Sequence, residues 1–416
     1  MRCSGGHICS FGICLGGNPN ARPGEGGGTP GEGGAKPTSA LWWIEDGADS
    51  SSTLYRYLPE PSLQTPFSLS SPLVFWDVSP DGKRWAAMLA TSETRYEVVH
   101  TAHNTTRSLQ TGSGVPQKIS FAKDSRGLAF LLENESNQGL LFWSVRANES
   151  PQRLSLEKCG LADSSVHVLD FAWSPDSSAL AVRALLRGGD MRAGIWVVAT
   201  AEPSACLEAL HPGEAMGHTP EWGALGPLHW VGGTLYFVAS LEYLFPLQLY
   251  SFGWSSLGGT RNPLLSSSSH SLLGFAAYAP SWLALLQEGP ALSLLSLRPS
   301  SVPLPVGGCE TSGLSKATAM LFSPANDWLL LLGNGRLQLV SLAEPKCSQN
   351  FEPTVLEALW SPDGKRLAKV RLAENAAAWS LVLWENNGKN LLNPHVVSVG
   401  PQRLRQLRWT AYSEDI

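Results

Sequence analysis

One phrase recurs along this chain and limits what it can become. The stretch WSPDGKRLA at 360–368 has near copies in VSPDGKRWA at 78–86 and WSPDSSALA at 173–181. Each copy opens on an apolar, mostly aromatic anchor. The full series of anchors reads Val78, Phe121, Trp173, Trp230, Tyr278, Phe322, Trp360 and Trp409, with gaps of 38 to 57 residues that average about 47. A period of that length marks stacked supersecondary units or propeller blades.

After an anchor comes a turn. In the clearest copies it is Ser-Pro-Asp-Gly, ending in Asp81-Gly82 and Asp363-Gly364. Proline presets φ, aspartate accepts from nearby backbone N–H groups, and glycine supplies the positive φ that sends the chain back antiparallel. Asp124 and Asp176 hold the aspartate place in copies that have lost other letters. The turn is predicted to lead into a second strand that is apolar on both faces, as in GLAFLL (127–132), TLYFVA (234–239) and WLLLL (328–332). Such runs imply burial between two neighbouring sheets. A third, more alternating strand follows, for example AGIWVV (193–198) and SLVLW (380–384).

The ends complement each other. LWWIE (41–45) reads as a second strand without a first, and TLYRYL (53–58) as its third, whereas RLRQLRWTAY (403–412) reads as a first strand with nothing after it. The expected fold is therefore an all-β propeller of four-stranded blades, with eight blades preferred and seven the alternative. The C-terminal strand would close the ring by joining the N-terminal pair, which removes free sheet edges. An open solenoid would not need complementary ends. The expected domain plan is a remnant Cys-rich segment at 1–15, a Gly/Pro-rich flexible linker at 16–40 and the propeller at 41–416. The first segment, with Cys3, Cys9 and Cys14, looks like the end of a Cys-rich module of secreted bacterial proteins, from a chain that begins further upstream. A lipidated Cys3 and an unstructured tail are the rival readings.

At WSPDGKRLA the chain resembles the TolB-like, WD40-like propeller repeats of bacteria. The resemblance covers 41–416, strongly in three repeats. It departs from true WD40 repeats, because Trp76-Asp77 stands at the entry to a first strand rather than the close of a third. It implies the propeller fold and a habit of binding proteins. It implies no catalytic residues.

Composition narrows the function classes. Charged residues make up 16% of the chain and the net charge is −5, with no basic stripe to meet phosphates, so nucleic acid is not an expected partner. No apolar run reaches the length of a membrane span, and no signal peptide is visible. The chain lacks the Gly-x-Ser-x-Gly elbow of an attached peptidase, and the glycine of SPDGKRW falls one place early for a sialidase-type Asp box. The repeated aspartates belong to separate blades, too far apart for an acid/base pair, so turn-capping is their expected role. His100 and His103 fall in VHTAHNTT, read as a polar loop with metal ligation as the lesser alternative. No catalytic, cofactor or metal site is expected.

The later cysteines show one regularity. Cys159 and Cys309 precede the anchors Trp173 and Phe322 by 14 and 13 residues, and Cys206 and Cys347 follow the third strands of the same two blades. Disulfides Cys159–Cys206 and Cys309–Cys347 are predicted, which implies an oxidising compartment: periplasm, cell envelope or exterior, with a cytoplasmic location and free thiols as the alternative. The expected function is a monomeric, non-catalytic platform that binds proteins through the loops around 184–193, 211–226 and 254–271. The competing readings are a lyase or glycan hydrolase, or a ligand sensor, using the central channel. Convergent carboxylates, histidines or arginines there would favour an enzyme, and an apolar channel would count against it.

Overall fold

The computed structural model describes residues 8–10, 13–15 and 38–412, apart from the connections 48–50, 60–61, 70, 93–94, 103–104, 111–113, 134–138, 145–150, 155, 161–165, 187–191, 201–205, 211–227, 240–247, 256–257, 264–271, 279–281, 288–291, 297–303, 307–316, 325–326, 334, 343–345, 348–351, 373–377 and 389. Contacts divide the chain into Met1–Lys36 and Pro37–Glu414. In the first unit Ile8–Ser10 and Ile13–Leu15 form an antiparallel hairpin. The strand Thr38–Asp46 starts inside the stretch read as linker.

The second unit is an all-β propeller of four-stranded blades. Sheets 1 to 7 each run inner to outer in chain order. The inner strands of sheets 1 to 7 are Leu73–Val78, Val115–Phe121, Val166–Trp173, His229–Val231, Leu272–Tyr278, Ala317–Phe322 and Val355–Trp360. Sheet 8 is composite. Its inner strand is Arg403–Tyr412, paired antiparallel with Thr38–Asp46, and Ser52–Pro59 and Ser62–Ser68 complete it. Thr38 lies opposite Tyr412 and Leu41 opposite Trp409. In sheet 5 only the backbone of the strands is described.

The second strands explain the cohesion. Residues Gly127–Leu132 are buried throughout, and alternate side chains serve different cores. Leu128, Phe130 and Leu132 pack with Ala86, Met88 and Val98 of sheet 1. Ala129 and Leu131 pack with Phe171, Trp173 and Val182 of sheet 3. The same split recurs at the seam, where Leu41 and Trp43 join Val370 and Leu381, while Trp42 and Ile44 join Trp76 and Leu89. Period-two alternation thus sends one strand into two hydrophobic interfaces. Each fully buried leucine there contributes about 1.5–3 kcal/mol relative to exposure.

Several elements differ from the sequence reading. The outer strands carry no long apolar run; they range from two residues, as in Gln152–Arg153, to the ten of Leu391–Gly400. The stretch 254–271 is no single loop, because the strands Gln248–Ser255 and Gly258–Pro263 reach into it. Half of the stretch 184–193 is strand as well, since Ala179–Leu186 and Arg192–Ala199 reach into it from both ends. His100 lies within the strand Arg95–Ala102 rather than a loop, and His103 falls outside the described residues.

Candidate functional site

The inner strands are where a propeller of this kind can present chemistry, because each has a pairing partner on one side only. In sheets 1, 2, 3, 6 and 7 the register slips by one residue at the same place, four residues before the anchor. The extra residues are Val74, Gln117, Leu169, Thr318 and Leu356. Such a bulge adds a side chain that belongs to neither face of the pleat. Sheet 8 has its irregularity near Gln406, whose φ is +57°.

The residues beside the bulges are charged in several sheets, and they reach across to neighbours. Lys118 of sheet 2 pairs with Asp170 of sheet 3 at 2.7 Å and also donates to the Phe171 carbonyl. Asp170 also receives the N–H of Phe171 and acts on Arg183, whose pKa is lowered chiefly by burial, with Asp170 opposing. Asp77 of sheet 1 accepts from the Phe121 N–H of sheet 2 at 2.8 Å and pairs with Arg408 of sheet 8 at 3.4 Å. Glu357 of sheet 7 accepts from the Leu407 N–H of sheet 8 at 2.8 Å. Burial raises the Glu357 pKa, against the opposing pull of Arg408 and the backbone N–H groups. Arg405 grips Asp46 through two bonds of 2.7 and 2.9 Å and donates to Leu73 O of sheet 1. These side chains satisfy backbone groups that an edge strand would otherwise leave unpaired.

The anchors take part in the same scheme. The Trp173 indole N–H donates to Ser120 O, that of Trp230 to Ala172 O, and that of Trp409 to Leu359 O, at 3.1, 3.2 and 3.1 Å. Each acceptor is the residue just before the anchor of the preceding sheet. The Trp360 indole N–H is the exception, buried without a partner.

The turns that follow are built by their own side chains. Asp81 accepts from the Lys83 N–H and the Ser79 hydroxyl, while the Ser79 oxygen accepts from the Arg84 N–H. Asp363 accepts from the Lys365 N–H and the Ser361 hydroxyl, and Asp176 and Asp124 accept from the N–H two residues on. Burial works to raise the Asp176 pKa, but the bonds from Ser174 and Ser178 prevail and lower it. Gly82 and Gly364 hold φ of +67° and +69°; Ser125 and Ser177 hold +60° and +62° at the same turn position. The serines replace glycine with a second role: Ser125 Oγ accepts from Asp81 N of the preceding sheet, and Ser177 Oγ from Asp124 N. These bonds of the four aspartate side chains all stay within their own turns.

Cys159 and Cys206 are disulfide-bonded, with Cα atoms 5.3 Å apart. The bond ties the short 3-10 turn Glu157–Cys159, on the approach to sheet 3, to the outer strand of that sheet, Cys206–Leu210. Cys309 and the side chain of Cys347 lie outside the described residues. Among the described residues there is no cluster able to hold a metal ion and no helix long and apolar enough to cross a membrane.

No family model and no curated protein matches the chain. Solved structures do. A dipeptidyl peptidase 4 from Porphyromonas gingivalis aligns with a TM-score of 0.60 at 12% identity, over 85% of this chain and 57% of that one. A eukaryotic initiation factor aligns at 0.56 and 14% identity, over 90% of this chain and 98% of that one. Apo AztD from Citrobacter koseri aligns at 0.55 and 9% identity, over 90% and 99%. At these identities the likeness is one of fold alone: an all-β propeller of four-stranded blades.

Proposed function

We propose that the sheets close into a single eight-bladed ring that serves, outside the cytoplasm, as a non-catalytic platform for a protein partner. Ring closure is supported by bonds that pass between several neighbouring inner strands and by the proximity of the others. Asp77 links sheets 8, 1 and 2; Lys118 links 2 and 3; Trp230 links 3 and 4; Glu357 and Trp409 link 7 and 8. The inner strands of sheets 4, 5, 6 and 7 lie side by side. An experimental structure with another number of sheets around the axis overturns this part of the reading.

The observation that carries the functional part is how the charges of the inner strands are used. Lys118, Asp170, Asp77, Arg408, Arg405, Asp46 and Glu357 hold neighbouring strands together, so an acid/base pair built from these groups would have to be taken from that bonding. The Cys159–Cys206 bond supports an oxidising compartment. The test is a screen for glycan-cleaving, lyase and peptidase turnover beside co-elution with purified candidate partners. Turnover abolished by Asp170→Asn or Glu357→Gln in a folded variant refutes the platform. A stoichiometric complex lost on replacing 211–227 supports it.

A further inference from the structure

Few large apolar side chains are exposed among the described residues, and they fall into two places. Leu392, Val396 and Val399 lie on the outer strand of sheet 7. Val115, Leu169 and Leu356 lie on inner strands, with 44%, 37% and 47% of their surface exposed. The second group has no structural use for its exposure. Val168 and Phe171 enter the core between sheets 2 and 3, and Ala172 packs against the core between sheets 3 and 4, but Leu169 joins neither. Val355, Ala358 and Trp360 enter the core between sheets 6 and 7, and Leu359 that between 7 and 8, while Leu356 stays out of both. Both leucines occupy the bulge, and a bulge re-aims its extra residue off the pleat. The strand that carries each of them has its free side at the inner edge of its sheet.

The bulge position is uncharged in every sheet that has it in this register: Val74, Gln117, Leu169, Thr318 and Leu356. The charges next to it are engaged between sheets, and so are backbone groups near the anchors: Phe121 N, Phe171 N and Leu407 N by carboxylates, Phe171 O by Lys118, and three carbonyls by indoles. A charged ligand therefore finds no free counter-charge among these groups. An extended peptide finds part of the edge it would pair with already occupied. An uncharged, apolar small molecule meets neither obstacle and gains by covering leucine and valine side chains.

We propose that the bulge row is a binding belt for an uncharged, apolar small molecule on the axis of the ring. This rests on the ring reading above, because only a ring brings Leu169 and Leu356 to one site.

The probe is Nile red, uncharged and fluorescent in apolar surroundings, titrated against the whole chain. The expected result is one saturable site whose affinity falls roughly tenfold in the Leu169→Asn, Leu356→Asn double variant. The Val396→Asn, Val399→Asn variant on the outer strand should bind as the parent does. All four positions are exposed, so unfolding midpoints should stay near the parent's; if the double variant fails to fold, the single variants Leu169→Asn and Leu356→Asn replace it, each with a smaller loss of affinity. The absence of saturable binding overturns the belt, as does loss of binding only in the outer-strand variant. Displacement of the dye by an uncharged peptide more readily than by a long-chain alcohol also overturns it. Two independent dye sites, each removed by one leucine substitution, would instead overturn the ring on which the belt depends.

Discussion

The tryptophan clasp makes a prediction in which most of the unknowns cancel. Trp173 and Trp360 hold the same repeat position and are equally buried, each 5% exposed. They differ in the use of the indole N–H. The Trp173 indole N–H donates to Ser120 O, whereas the Trp360 indole N–H is buried without a partner. Replacing either by phenylalanine removes the same atoms from a similar interface, so the packing loss is common to both. W173F also loses a hydrogen bond and leaves a carbonyl without that donor, about 1 kcal/mol or somewhat more. W360F instead removes a donor whose burial without a partner costs about 1–3 kcal/mol. The two variants should therefore differ by about 2–4 kcal/mol, with W173F the less stable. Urea unfolding followed by intrinsic fluorescence measures this directly, because the chain holds 16 tryptophans and loses only one in each variant. Variants equal to within about 0.5 kcal/mol, or W360F the weaker, would refute the idea that the indole bonds hold adjacent sheets together.

Further outcomes follow from other parts of the fold. The disulfide closes a span of 47 residues, so the Cys159→Ser, Cys206→Ser variant should lose roughly 2–4 kcal/mol in urea unfolding, and reductant should lower the parent to the same level. His229 is held neutral by burial, with its pKa lowered from 6.5 to about 4. Between those values the unfolded chain binds a proton the folded chain refuses. Stability from this group is complete above pH 6.5 and is lost as pH falls toward 4, by up to about 3 kcal/mol, and His229→Gln should flatten that part of a pH series of unfolding curves. Glu357→Gln keeps an acceptor for the Leu407 N–H without a buried charge and should be near neutral at pH 7, whereas Glu357→Ala should cost about 1–3 kcal/mol, both read by thermal or urea unfolding.

The parts of the fold that were legible in the sequence are those written in side-chain hydropathy. The anchors Val78, Phe121, Trp173, Tyr278, Phe322 and Trp360 each end an inner strand, and 403–412 is a strand over its whole predicted length. Trp230 stands one residue before the end of its strand. Outer strands such as Gln152-Arg153 were not legible, because a half-exposed edge needs no apolar pattern. The bulges were hidden for a different reason. Leu169 and Leu356 read like any other strand leucines, and their separateness exists only in the register with the second strand. The indole bonds were also invisible, since the repeat shows that an aromatic is wanted but not that its N–H is used. The alternation of the second strands across two cores was the strongest legible signal, and it follows from period two alone.

The pairing of Thr38–Asp46 with Arg403–Tyr412 has a consequence for how the protein is made. Trp42 and the Thr410 hydroxyl that its indole reaches are 368 residues apart in the chain. At about 5–20 residues per second, a ribosome takes roughly 20–70 s to deliver the second after the first. For that interval Leu41, Trp42, Trp43 and Ile44 are synthesised without the strand that covers one side of them. A nascent chain of this design depends on whatever shields that apolar stretch until translation ends.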